Sequence, residues 1–182
     1  MDPIVEAALK KWPNVPHCYG WLALDARGDW YMRDDRIRAA GPFPRVKGSR
    51  ILHDKLRAFI ERNYAADERG CWFFQNGPQR VYVELAAAPF VWRLQANPDE
   101  GAGVAPAVHA HTGAPAAAVH DTWLDDAGRL FLRTSLGFGL VHTQDVAVAA
   151  DVVEAGIWTP TPLDFDAMPA RFGYQLQPQP PA

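Results

Sequence analysis

The feature that most narrows the fold of this chain is a hairpin signature that occurs twice. Trp21-Leu22-Ala23-Leu24 leads into Asp25-Ala26-Arg27-Gly28 and then Asp29-Trp30-Tyr31-Met32-Arg33. Trp123-Leu124 leads into Asp125-Asp126-Ala127-Gly128 and then Arg129-Leu130-Phe131-Leu132-Arg133. In each copy apolar runs flank an Asp-turn-Gly segment. The Asp carboxylate closes its own turn, and the Gly takes the positive φ. Matched on Asp-Ala, the second copy reads as one turn residue shorter. Hairpins this far apart do not suit a solenoid, whose units recur at short fixed periods. They suit two related motifs packed together; independent convergence on a common turn is the other reading.

The rest of the chain alternates between helix and strand signals. Asp2-Pro3 opens a short amphipathic helix over 3–11, stopped by Pro13 and Pro16. Ser49 caps an expected helix over 50–64, with Leu52, Leu56, Phe59 and Ile60 on one face. After Gly70 the period falls to two: Trp72 and Phe74, an Asn76-Gly77 turn, then Val81, Val83 and Leu85. Phe90, Trp92 and Leu94 read as a further strand, as do Phe138, Leu140 and Val141, and Thr143 caps an apolar helix over 144–154. Residues 97–119, rich in Ala, Gly, Pro and His, read as a long surface loop. Six Pro in 158–182 predict an extended, partly disordered tail. The expected class is α+β: antiparallel hairpins and sheets with a few packed helices, from two related motifs. The expected organisation is an N-terminal motif over 1–96, a loop over 97–119, a second motif over 120–157 and a tail over 158–182, in one compact unit.

The order of these segments resembles a proteobacterial family of unknown function. The resemblance is carried by the Asp-x-x-Gly-x-Trp-Tyr hairpin (24–37), the Gly-Ser-Arg-Ile segment (48–64), the aromatic strands through Ala-Pro-Phe-Val (72–94), and Leu-Phe-Leu-Arg-Thr-Ser-Leu-Gly (130–140). It implies an α+β protein with a repeated structural motif and a suggested ligand-binding or signal-transduction role. It brings no catalytic residues. The chain departs from the family pattern at 97–119 and at its Pro-rich end.

Composition bounds the function. With 182 residues, 48% hydrophobic and 21% charged, the chain is long and apolar enough for a folded core. A net charge of −3 gives no general attraction to nucleic acid or anionic membrane. Two cysteines build no disulfide framework, and the first residues carry no secretory signal, so the expectation is a cytoplasmic protein with reduced thiols. Charge is uneven: residues 33–62 hold nine Lys or Arg against four acids. Within that stretch Arg45, Lys47, Ser49 and Arg50 approach the expected helix N-terminus, where free amides and the helix dipole would hold a phosphate or carboxylate. An ordinary capped helix with solvated charges is the competing reading.

Trp30, Trp72, Trp92 and Phe131 fall at strand spacing and would line either a core or an apolar ligand cleft. His109, His111 and His120 would make a metal triad if they converged; a solvated loop with incidental His is the competing reading. Cys18 and Cys71 read as inert thiols, and Asp25 and Asp125 as turn-closing acids rather than a catalytic pair. The leading functional reading is a non-catalytic bacterial ligand-binding or regulatory domain with an aromatic-lined cleft. It has no cofactor, and exists as a monomer or homodimer. A His- or metal-dependent hydrolase and a protein-interaction module are the alternatives.

Overall fold

The computed structural model describes residues 1–96 and 104–181. The chain divides into two compact units, Met1–Asp25 with Asp29–Ala86 and Gly173–Ala182, and Ala26–Gly28 with Ala87–Phe172. This division falls after Ala86 and Phe172, whereas the sequence reading divides the chain at 96 and 157. The chain crosses from one unit to the other after Ala86, and its last residues return to complete the first unit.

The first unit begins with helix α1 (Pro3–Lys11), then strands β1 (Cys18–Leu24) and β2 (Trp30–Met32), helix α2 (Asp35–Ala40), strand β3 (Ser49–Arg50) and helix α3 (Asp54–Arg62). Strands β4 (Tyr64–Ala66), β5 (Trp72–Asn76) and β6 (Gln79–Leu85) follow. The six strands form one sheet in the order β3-β2-β1-β6-β5-β4. Trp30, Leu22, Leu24, Val83, Leu85 and Ile60 are buried in its core.

The second unit has strands β7 (Phe90–Gln95), β8 (Ala107–Ala110), β9 (Pro115–Ala116), β10 (Val119–Leu124), β11 (Leu130–Thr134) and β12 (Gly137–Val141). Helix α4 (Val146–Glu154), strand β13 (Thr161–Pro162) and helix α5 (Met168–Phe172) complete it. Its seven-stranded sheet runs β13-β10-β11-β12-β7-β8-β9. Phe131, Leu132 and Trp92 are fully buried.

The two sheets follow the same path. Each is a pair of three-stranded antiparallel meanders, joined where the first strand of one runs parallel to the last strand of the other: β1 with β6, and β7 with β12. The α+β class is borne out, with these parallel seams, and a third parallel pair where β13 joins β10, in otherwise antiparallel sheets. Both Asp turns form as hairpins and have the same length. The N–H of Asp25 donates to Asp29 O and that of Asp125 to Arg129 O, each at 3.0 Å. The shorter reading of the second copy came from matching Asp25 with Asp126 instead of Asp125. The same turn closes β4 onto β5, at Asp67-Glu68-Arg69-Gly70, with Asp67 N–H on Cys71 O at 3.0 Å.

Three further expectations are corrected. The helix expected from residue 50 starts at Asp54, because Ser49 and Arg50 pair with Met32 and Tyr31 as β3; His53, not Ser49, caps it, its Nδ1 accepting from Leu56 N–H at 3.3 Å. The loop expected over 97–119 contains β8, β9 and the start of β10; its residues 97–103 lie outside the described residues. Val108 and Ala110 are buried, so small side chains suit a strand packed closely on its neighbours. The tail contains β13 and α5, and from Gly173 onward it is strapped to the first unit. Leu85 N–H donates to Leu176 O (2.8 Å), Gln175 N–H to Gly70 O (3.1 Å), and Arg69 to Gln179 O (3.1 Å). Tyr174 is buried.

Gly70 (φ +74°) sits where the strap passes, and a Cβ there would lie 2.1 Å from Gly173 O; Gly128 (φ +73°) has nothing within 4 Å. Gly128→Ala therefore carries only the backbone penalty, about 1 kcal/mol, whereas Gly70→Ala adds displacement of the strap and loses at least about 2 kcal/mol. Urea denaturation of the two variants checks this order.

Candidate functional site

The basic stretch leads into strand β3 and not into a helix N-terminus. Lys47 Nζ lies 2.7 Å from Asp25 Oδ2, and Arg50 lies 2.5 Å from Asp29 Oδ1. Asp25 and Asp29 are the two ends of the first hairpin turn, so these cations close the hairpin. Asp25 is buried, its Oδ1 accepts from Asp29 N–H (3.0 Å), and Tyr31 Oη donates to its Oδ2 (3.3 Å). The hydrogen bond to Asp25 raises the Lys47 pKa, and burial raises that of Tyr31. Arg45 is exposed and Ser49 lies on the strand edge.

Three of the four expected cleft aromatics are core residues. Trp30, Trp92 and Phe131 are 1%, 0% and 0% exposed. Trp30 Nε1 donates to Glu61 (3.3 Å), Trp92 Nε1 to Leu132 O (3.2 Å), and Phe131 stacks on Phe138 at 5.5 Å. Trp72 is half-buried against Tyr64. Burial pushes both cysteine thiols up, away from thiolate chemistry.

The three histidines occupy different settings. His109 lies on β8 between Arg93 and Pro115, His111 in the turn after β8, and His120 is exposed on β10. No three His, Cys, Asp or Glu side chains among the described residues are grouped as metal ligands. His111 has a structural role: its Nδ1 accepts from Val91 N–H at 3.2 Å, and burial pushes its pKa down to about 3.

The second unit does contain an open site. Two adjoining clefts, about 760 and 320 Å³, share Val119, Ile157 and Trp158. The larger is lined by 105–108 and 116–119, mostly Ala. The smaller is lined by 119–123 of β10, by Ile157, Trp158, Thr159 and Thr161 opposite, and by Arg171. The cleft exists because β13 pairs with β10 only at Trp123 and Leu124. Upstream, residues 157–160 splay away. The N–H groups of Ile157 and Trp158 turn back to Val152 O (3.1 and 3.4 Å), and Pro160 has none to offer. Asp121 is paired with Arg133, and Arg171, which lies 5.9 Å from the centre of the Phe172 ring, makes no ion pair among the described residues. The cleft thus combines an apolar wall at Trp158 with hydroxyls and the Arg171 guanidinium, which has no carboxylate partner among the described residues.

His120 is the one sequence candidate that reaches this cleft. Trp158, Thr159, Thr161 and Arg171 were hidden in a segment read as tail. The alternation Thr159-Pro160-Thr161-Pro162 was the available signal, since alternate Pro marks an extended segment unable to pair fully.

Comparison with known proteins agrees on fold and brings no activity. The DUF2944 family model, described as "Protein of unknown function (DUF2946)", matches residues 1–179. No curated protein matches. The crystal structure of a DUF1285 family protein from Silicibacter pomeroyi DSS-3 matches with a TM-score of 0.52 and 14% identity, over 84% of this chain and 85% of that one. A DUF1285 family protein from Shewanella baltica OS155 matches with a TM-score of 0.45 and 16% identity, over 72% and 91%. At such identity the first likeness is one of fold. No helix among the described residues is long and apolar enough to cross a membrane.

Two outcomes follow. Lys47→Ala strips the cation from a buried carboxylate and lowers stability by about 1–2 kcal/mol; Arg50→Ala, on the more exposed Asp29, loses under about 1 kcal/mol. Chemical denaturation at neutral pH separates them. For His111 the unfolded chain binds a proton near pH 6.5 while the folded state stays neutral to about 3. Stability therefore falls as pH drops below 6.5. His111→Gln flattens that part of the stability–pH profile.

Proposed function

The chain belongs to the DUF2944 family, whose members are of unknown function, and we propose from the geometry that it is a non-catalytic ligand-binding domain that holds its ligand in the second unit, along β10. The observation that carries this is the joined cleft at Trp158, with Arg171 and threonine hydroxyls at one end and an alanine-lined extension at the other. Such a site suits a ligand with an apolar body and an anionic end. The reading replaces the aromatic core residues and the Lys47–Arg50 stretch as the binding surface. It fits a regulatory role, in which occupancy rather than turnover is the output. The equal paths of the two sheets support a reading of the units as copies of one motif, of which the second carries the ligand.

Native mass spectrometry of protein purified without added ligand, beside a denatured control, tests the proposal. Thr159→Trp fills the cleft from an exposed position. We expect a small adduct on the wild type that is absent from Thr159→Trp, with both proteins folded by circular dichroism. An adduct kept in full by the variant, or a compound-library thermal-shift screen without hits on the wild type, overturns the assignment.

A further inference from the structure

We propose that the ligand is an extended peptide, added to β10 as a parallel strand and ending with its C-terminal carboxylate at Arg171. This rests on the reading of the cleft as a binding site and names the class of ligand.

Continuity of the lining is the first argument. In a strand successive side chains point to opposite faces, so a cleft lying on one face is lined by alternate residues. Here 119–123, all within β10, line the smaller cleft without a gap. The cleft therefore runs along strand margins, where backbone groups are accessible. On the side of β10 away from β11, residues 119–122 pair with no strand among the described residues. An edge of this kind recognises main chain, the way a sheet accepts an added strand.

The direction and the end of the peptide follow from β13. It takes over pairing at Trp123, in parallel, so an incoming chain cannot run past that point and must terminate there. Phe172 packs on Trp123 at 4.6 Å, which brings the end of α5, and with it Arg171, to the closed end. Asp121 is neutralised by Arg133, so the charge presented at that end is the Arg171 guanidinium. A carboxylate complements it and an ammonium does not. A chain with its C-terminus at the Trp123 end runs in the same direction as β10 and continues the line of β13. On the opposite wall the Ile157 and Trp158 amides are held by Val152 O and Pro160 has none, and the pairing of β13 with β10 begins only at Thr161.

The test uses the full chain, isotope-labelled, and a mixed library of five-residue peptides with free carboxylates, read by amide chemical shifts. The tightest binder is remade with alternate backbone N-methylation and, separately, with a C-terminal amide. We expect shifts in 119–123 and 157–161. N-methylation on the edge-facing side should weaken binding at least about tenfold, the scale of one lost charge-assisted or two neutral hydrogen bonds. The amide should weaken binding to the wild type about tenfold and leave binding to Arg171→Gln unchanged. Equal binding of the N-methylated peptide, shifts confined elsewhere, or a library without binders overturns the peptide assignment. Hexanoate is titrated alongside. If it moves the same signals and no peptide does, the cleft is a site for small anions and the peptide inference fails alone. If neither moves them, the binding-site reading fails as well.

Discussion

A carboxylate that closes its own turn is the interaction on which this structure rests. In each Asp-x-x-Gly turn the two oxygens divide the work. Oδ1 accepts turn amides: Asp29 N–H for Asp25; Arg69 and Cys71 N–H, both at 2.9 Å, for Asp67; Ala127 and Arg129 N–H for Asp125. Oδ2 takes a cation or a hydroxyl: Lys47 and Tyr31, then Arg69 and Tyr82, then Arg129. The cation is then laid across an aromatic ring of its own sheet, as Lys47 is over Tyr31, Arg69 over Tyr82 and Arg129 over Phe131. Each turn thus sets strand register and anchors one corner of a sheet without further loop structure. At Asp67, burial pushes the carboxyl up, but the amides, the Tyr82 hydroxyl and Arg69 together hold it below the usual range.

This arrangement determines where ligand chemistry can be. A surplus of cations in 33–62 looks like an anion-binding surface when it is counted along the chain. Arg33 pairs with Glu84, Arg38 with Asp35, Lys47 with Asp25, Arg50 with Asp29, Arg57 with Asp54 and Arg62 with Asp2, so six of those charges are neutralised within the first unit. Elsewhere Arg93 pairs with Asp145, Arg129 with Asp125 and Arg133 with Asp121. Arg171 has no such partner among the described residues, and it lies on the cleft where β13 departs from β10.

Legibility in the sequence tracked the range of the interactions. The α1 helix, the hairpins at Asp25, Asn76 and Asp125, and the strand after Pro89 depend on residues a few positions apart, and all could be read. The Asp67 turn shares the Asp-x-x-Gly pattern of the others but has no Trp-Leu pair before it, so it stands apart from them in sequence. The start of α3 is not legible locally because β3 exists only by pairing with β2, and nothing in Gly-Ser-Arg distinguishes that from a cap. The alanine-rich segment reads as a loop because strand propensity undervalues small residues that pack closely between neighbours.

The sequence by itself determined the α+β class, the turns and the identity of the residues that close them, since these arise from short-range backbone preferences and side chains acting on their own turns. It also carried the family membership over 1–179. Only the tertiary structure decided which cations are neutralised, which aromatics are core, and that the last residues strap the first unit. It also decided that the cleft opens between β10 and the segment before β13. Those outcomes depend on which distant strands pair and which edge is left unpaired, and pairing partners far apart in sequence are chosen by the whole sheet rather than by any local pattern.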